Sequence, residues 1–362
     1  MAEGWTTGSG GRHHGAHVAV AARGLGVAGE SFLDFSQNIN PLGPPREALE
    51  AAREAISASS VYPDAEYPDL RRALAGYLGV EADHVLPTNG GAEALFLAAL
   101  GLAYSGKRRA IVLEPTFSEY AAAASAAGLE VVHRSAWREG AAGFALDWGA
   151  LRDLSARDAV FLCNPNNPTG TVLQCEEALE IAGLARHAGA ALVLDEAFAD
   201  FAPEVSLVGE AGDGLLVARS FTKFFAIPAL RLGCLVTPEA GGYGALQPSW
   251  PVNVAAEAAG VVAASDPAFT ARSVQRVGEL RSELQAGLHA LPGLRVYEGA
   301  ANFLLVRGPA GLPERLARRG VLVRGCEPFR GLGAEHFRVA VRDEADNQRL
   351  VEALQDALSE EA

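Results

Sequence analysis

At 362 residues, 49% hydrophobic and 20% charged, the chain has an ordinary globular composition and enough length for two domains or one large α/β domain with an appendage. A formal net charge of −14 argues against nucleic acid and anionic membranes as partners, because both attract basic surfaces. Four cysteines (Cys163, Cys175, Cys234 and Cys326) lie far apart with neither a CxxC pair nor metal-ligand spacing, so reduced thiols and no metal site are expected.

Residues 1–12 read as a loose Gly/Ser-rich arm without the apolar core of a signal peptide. No run of about 18 apolar residues follows anywhere, so a soluble cytoplasmic protein is expected. HHGAHVAVAARGLG predicts a short helix ending near Gly24 or Gly26, and FLDFSQNINPLGPP an extended stretch stopped by prolines. PREALEAAREAI is a helix with proline near its start, and DLRRALAGYLG is a second, ended by Gly79. Short apolar runs then alternate with Ala/Leu-rich helical stretches, from HVLPTNGG through RAIVLEP, EVVHRS, AVFLCNPNNPTG, AALVLDEAF and GLLVARSFTK to LRLGCLVT. Four to six apolar residues per run, without polar alternation, mark strands buried on both faces of a mainly parallel sheet. The reading is a three-layer α/β domain over 46–238, preceded by an arm, 1–45, packing with a smaller domain. That smaller α+β domain, 239–362, opens on a long helical pattern at about 255–291, followed by LRVYEG, ANFLLVR, ERLARRGVLVRG, HFRVAVRD and a final helix.

In open α/β sheets ligands sit outside the carboxyl ends of the strands, and the conspicuous polar motifs fall there. TNGGAE (88–93) joins a strand to a helix; it is either a tight glycine turn or a phosphate cradle of backbone N–H groups at a helix N-terminus. NPNNPTG (164–170) is a rigid loop projecting asparagine amides, or a plain turn. Asp195 and Glu196 end the buried run LVLDEAF, as a functional acid or as a cap or core ion pair. In RSFTKFFAIPALRLG (219–233), Lys223 sits among Phe221, Phe224 and Phe225. An apolar setting depresses a lysine's pKa, and a neutral amine attacks carbonyls; the alternative is a snorkelling surface lysine. Ser220 and Arg231 stand ready to bind a phosphate beside it. A phosphate cradle, a Schiff-base lysine and an acid to pair with a pyridinium nitrogen are the parts that pyridoxal 5'-phosphate needs.

This order of motifs resembles the fold-type I pyridoxal-phosphate enzymes of the class I/II aminotransferase superfamily, over essentially the whole chain after residue 12. The resemblance implies that Lys223 carries the cofactor and Asp195 pairs with its ring nitrogen. Asn167 would then meet the ring 3-oxygen and Phe117 stack on the ring. Gly91 and Ala92 amides, Ser220 and Arg231 would hold the phosphate. Tyr62, in VYPDAEY, resembles the tyrosine that reaches the phosphate from a partner subunit, which implies a homodimer with shared sites. Arg338, in HFRVAVR, resembles the clamp on a substrate carboxylate.

Two branches of the superfamily compete. Histidinol-phosphate aminotransferases commonly carry DEAY, where this chain has DEAF with Phe198. DEAF, His14-Gly15, LDFSQNINPLGPP and KFFAIPALRLG resemble the L-threonine-O-3-phosphate decarboxylases of cobalamin biosynthesis. By that resemblance His14, Asn40, Asn167, Arg324 and Arg338 would bind a phosphorylated amino acid and Lys223 would return a proton after CO₂ is lost. HHGAH departs from the usual HGGN, with Ala16 and His17 in place of glycine and asparagine.

Overall fold

A computed structural model describes residues 32–141 and 143–359. The helix expected over HHGAHVAVAARGLG, and with it His14, lies outside the described residues.

The elements follow in chain order: β1 (Leu33–Asp34), α1 (Arg46–Ile56), α2 (Pro68–Leu78), β2 (Val85–Thr88), α3 (Gly91–Tyr104), β3 (Arg109–Glu114), α4 (Glu119–Ala126) and β4 (Glu130–Ser135). A hairpin, β5 (Trp137–Gly140) and β6 (Gly143–Leu146), precedes β7 (Asp158–Cys163), α5 (Cys175–His187), β8 (Ala191–Asp195), β9 (Leu215–Ser220), the single turn α6 (Phe221–Phe224) and β10 (Gly233–Val236). The remainder comprises α7 (Ala240–Gly244), α8 (Val254–Ala264), α9 (Pro267–His289), β11 (Arg295–Val296), β12 (Phe303–Arg307), α10 (Leu312–Arg318), β13 (Val321–Leu322), β14 (Arg324–Gly325), β15 (His336–Ala340) and α11 (Glu344–Ser359).

The seven-stranded sheet has the order β2-β10-β9-β8-β7-β3-β4, with β10 antiparallel to both of its neighbours and the others parallel. Its central strands are apolar through their middles because both faces are covered. Val160, Leu162, Leu192, Leu194 and Val217 point to one core cluster, while Ala159, Phe161, Val193, Leu216 and Ala218 point to the other. The alternation follows from the two-residue period of a strand. Helices α3 and α4 cover the second face through Ala94, Leu95, Ala98 and Ala123, and α5 and α8 cover the first through Ile181, Ala185, Ala256 and Ala259. Each fully buried Leu, Val or Phe contributes about 1.5–3 kcal/mol, so these two layers account for most of the driving force.

A second, antiparallel sheet has the order β11-β12-β15-β14. The start of the described chain is tied to its neighbourhood: β1 pairs in parallel with β13, Leu33 opposite Val321.

Two expectations change. The long helical pattern at 255–291 is two helices, because Pro267 cannot continue α8 and Asp266 Oδ1 accepts from Phe269 N at 2.8 Å to start α9. The hairpin β5–β6 was not expected; its strands are four residues each and mix exposed Arg138 and Glu139 with apolar residues, so no period stands out.

Beneath the carboxyl ends of β8 and β9 lies a buried ion cluster. Arg219 donates to Glu196 Oε2 at 2.7 Å and to Asp200 Oδ1 at 2.5 Å, and the Tyr77 hydroxyl donates to Asp200 Oδ1 at 2.7 Å. Burial alone would lower the Arg219 pKa, but Asp200 and Glu196 hold it above its ordinary value. Removing one side of such a cluster leaves uncompensated buried charge. Arg219→Met is therefore expected to cost about 3–5 kcal/mol, read as a lowered urea midpoint; an unchanged midpoint would refute the role given to this cluster.

Candidate active site

The loops after β2, β3, β7, β8 and β9 converge on a cleft of about 410 Å³ at the carboxyl ends of the strands. Ala92, Phe117, Asn167, Asp195, Lys223, Arg231, Arg324 and Arg338 all line it. The sequence order scatters these residues across some 250 positions; parallel strands of similar length bring their ends together.

The glycine turn before α3 is both a tight turn and a cradle. Gly90 has φ +82°, and a Cβ there would come within 2.6 Å of Arg231 Nη2. A Cβ on Gly91 would meet Ser220 Cβ at 2.9 Å. Glycine thus lets the first amides of α3, the Ser220 hydroxyl and the Arg231 guanidinium crowd around one point, where the helix N-terminus favours an anion. Arg231 is steadied by its Nη1 donating to Pro228 O at 3.0 Å.

Strand alternation sorts the acid pair. Asp195 faces the cleft, whereas Glu196 points into the Arg219 cluster, so the two acids of DEAF have different surroundings. Asp195 Oδ2 accepts from the Tyr120 hydroxyl at 2.7 Å and Oδ1 accepts from Ala197 N at 3.0 Å. Burial pushes its pKa up, against the pull of those donors and of Lys223. On β9 the same alternation turns Arg219 away and Ser220 toward the cradle. Thr222 Oγ1 lies 2.9 Å from Ser220 Oγ and accepts from Lys223 Nζ at 2.9 Å. Burial, with further push from Arg231 and Arg338, lowers the Lys223 pKa to about 8, against the pull of Asp195.

At the other end of the cleft, Arg324 and Arg338 stand directly opposite each other on β14 and β15. Like charges so placed are unfavourable without an anion between them. Arg338 donates to Asn167 Oδ1 and, at 3.0 Å, to Ser36 O, and its guanidinium lies 5.1 Å from the Phe303 ring centre. Burial lowers its pKa to about 10 and lowers that of Arg324 as well.

Among the described residues, four named ones do not line the cleft: Gly91 and Ser220, which meet behind Ala92 in the cradle, and Asn40 and Tyr62, which lie elsewhere. Asn40 donates its amide to Phe224 O (2.8 Å) and Ser273 Oγ (2.9 Å) and accepts from Leu42 N (3.1 Å), bracing α6 from behind; Asn38 lines the cleft in its place, with a buried Oδ1 that has no partner among the described residues. The turn in which Ile39 N donates to Gln37 O breaks the alternation that would have put both asparagines on one side. Tyr62 is 76% exposed and stacks on Trp250 at 4.4 Å, away from its own chain's cleft. Tyr120 was not foreseen, although its place three residues after Phe117 at the start of a helix was a legible signal.

Pyridoxal 5'-phosphate fits these residues. The glycine cradle would take the phosphate, Lys223 the aldehyde, Asn167 the ring oxygen and Phe117 the ring face. Asp195, a buried carboxylate held by donors and lacking a paired cation among the described residues, would receive the protonated ring nitrogen. Because the neutral amine is the nucleophile and its pKa is about 8, about a tenth of Lys223 is reactive at pH 7. Capture of pyridoxal phosphate by the apoenzyme should accelerate from pH 7 to 9 and level off above. Stopped-flow absorbance measures it. A rate flat over that window, or capture unaltered in Lys223→Ala, would count against this lysine.

The aminotransferase class I and II model matches residues 30–354. The threonine-phosphate decarboxylase of Salmonella typhimurium is 38% identical, the match covering 96% of each chain. The histidinol-phosphate aminotransferase of Symbiobacterium thermophilum is 37% identical, over 96% of this chain and 95% of that one. Among solved structures, the histidinol-phosphate aminotransferase of Clostridium acetobutylicum aligns with a TM-score of 0.81 at 29% identity, covering 91% of this chain and 99% of that one. The L-threonine-O-3-phosphate decarboxylase of Porphyromonas gingivalis gives 0.78 at 25% identity, covering 90% and 99%. With its motifs in family order and its cleft built from them, the chain belongs to the class I and II aminotransferase family.

Proposed function

We propose that this is a pyridoxal-phosphate-dependent decarboxylase that converts L-threonine O-3-phosphate to CO₂ and (R)-1-amino-2-propanol O-2-phosphate, the aminopropanol unit of cobalamin. The cross-strand pair Arg324–Arg338 is in keeping with this reading. With Arg231 occupied at the cradle, the pair offers two further cations, matching a substrate with both a carboxylate and a phosphate. The observation that carries the reading is the similarity to the Salmonella decarboxylase, 38% identical over 96% of each chain. Histidinol-phosphate transamination is the second reading, favoured by the 37% identical Symbiobacterium relative. Histidinol phosphate has no carboxylate, but the glutamate of that reaction has two, so the arginines alone do not separate the readings.

Pyridoxal phosphate, when bound, supplies the sink for the electron pair left at the substrate Cα. The chain's residues decide which bond at that carbon breaks. Arg338, braced by Asn167, would grip the carboxylate, while Arg324 and Asn38 would take the phosphate. Gripping the remote phosphate spends binding energy on the tilt of Cα. Phe117 and Phe198 would keep water from the reacting carbon, and Phe198 has no hydroxyl to offer. Lys223 Nζ would deliver the proton that replaces CO₂ at Cα.

We place the enzyme in the cytoplasm, in keeping with four free cysteines, three of them buried. No helix among the described residues is long and apolar enough to cross a membrane. We also infer a homodimer. Val61 and Tyr62 are 69% and 76% exposed beside a half-exposed Trp250, an apolar patch that a second copy would cover, with Tyr62 reaching the partner's cradle. Sedimentation equilibrium should give about twice the chain mass of 37.7 kDa; a monomer at micromolar concentration would remove that part of the reading.

Two assays on the holoenzyme separate the chemistries. One supplies L-threonine O-3-phosphate and reads CO₂; the other supplies histidinol phosphate with 2-oxoglutarate and reads glutamate. CO₂ without glutamate is expected. Glutamate without CO₂ would assign the chain to transamination.

A further inference from the structure

The hairpin β5–β6 reaches from the larger sheet to the smaller one, with the Glu139 carboxylate at the centre of the contact. Glu139 Oε1 accepts from Arg295 Nη1 at 2.7 Å and from the Tyr297 hydroxyl at 2.7 Å. Arg295 also donates to Gly140 O and Ala141 O, so the cation clasps the turn as well as the side chain. On the facing strand, Phe144 tilts against Tyr297 with ring centres 5.1 Å apart. Burial disfavours the charge on Glu139, yet the Tyr297 hydroxyl and the arginines hold its pKa below the ordinary value.

The chain of contacts runs on toward the cleft. Gly333 N donates to His336 Nδ1 at 3.3 Å, so the neutral ring carries its proton on Nε2, which lies 3.4 Å from the Tyr297 oxygen. Tyr297 gives its own proton to Glu139 and can accept from His336. Burial lowers the His336 pKa, which keeps the ring neutral near pH 7. The carbonyl of His336 accepts from Cys326 N at 2.9 Å. One histidine therefore grips the segment 326–333 near both ends. Within that segment Phe329 packs with Tyr297, Leu305 and Cys326, and its ring centre lies 5.7 Å from the Arg324 guanidinium. Phe329 and Arg324 both line the cleft.

We propose that Glu139 is a positioning residue for Arg324, acting through Tyr297, His336 and Phe329 from outside the cleft. The hairpin is a bracket: its carboxylate orients Tyr297, Tyr297 orients His336, and His336 sets the segment whose phenyl ring supports the guanidinium. The inference rests on the reading of Arg324 as the residue that binds the substrate's phosphate.

The test uses holoenzymes carrying Glu139→Gln, Arg324→Ala and both together, with L-threonine O-3-phosphate as substrate and the visible absorbance of bound cofactor as the check on an intact cradle. Glu139→Gln keeps the side chain's shape and removes its charge. It should raise KM about tenfold, the size of one lost charge-assisted hydrogen bond, with kcat and the cofactor spectrum unchanged. Arg324→Ala should raise KM at least as much, and the double variant should be no worse than Arg324→Ala alone, because both act on one contact. If Arg324→Ala raises KM but Glu139→Gln does not, or if their effects multiply, the positioning role is overturned while the site reading stands. If Arg324→Ala leaves KM unchanged, the phosphate reading falls and the positioning role with it. Should Glu139→Gln fail to fold, Phe144→Leu, which leaves every ion pair in place, carries the same expectation.

Discussion

Arg219 holds Glu196 and Asp200 in a cluster that water does not reach, and both strands that carry the chemistry end on it. Glu196 follows Asp195 at the end of β8, and Arg219 precedes Ser220 at the end of β9. Because successive side chains of a strand point to opposite faces, tying Glu196 to Arg219 on one face sets Asp195 and Ser220 on the other. The turn α6 then starts at a fixed place and presents Lys223 to the same cleft. A buried ion pair contributes little net stability, but its geometry is demanding, and here that geometry fixes the register of two functional ends.

The cleft itself is a set of charges largely kept from water. Burial lowers the pKa of Lys223 and of both small-sheet arginines and raises that of Asp195. Each shift has the sign that desolvation of a charged form produces. A ligand with a phosphate at one end, a basic ring nitrogen facing Asp195 and a substrate anion at the other would relieve them all. The cationic cleft in a chain of net charge −14 shows how local arrangement can oppose overall composition.

Much of this was legible in the sequence, and the reason differs by motif. The parallel sheet was visible because strands buried on both faces must be apolar through their middles, as the ALVL of ALVLD and the AVFLC of DAVFLC are. Lys223, Asp195 and the Gly90-Gly91 turn were visible because a lysine among phenylalanines, an acid ending an apolar run and paired glycines before a helix each break a local rule. The split between α8 and α9 was also written in Ser265-Asp266-Pro267, although the apolar pattern on either side ran through it.

Sequence alone therefore determined the layers and the cofactor class and singled out one lysine, since these follow from hydrophobic period and from residues whose chemistry is costly elsewhere. It could not determine which of two neighbouring polar residues faces the cleft. Asn38 rather than Asn40 was decided by a turn, and the buried arginine that draws Glu196 away from the cleft comes from another strand. Nor could it pair Tyr120 with Asp195, Arg324 with Arg338, or Glu139 with Tyr297, which lie 75, 14 and 158 residues apart. Those contacts exist only once the strands are in register, because a hydrogen bond is decided by distances of a few tenths of an ångström that no linear spacing encodes.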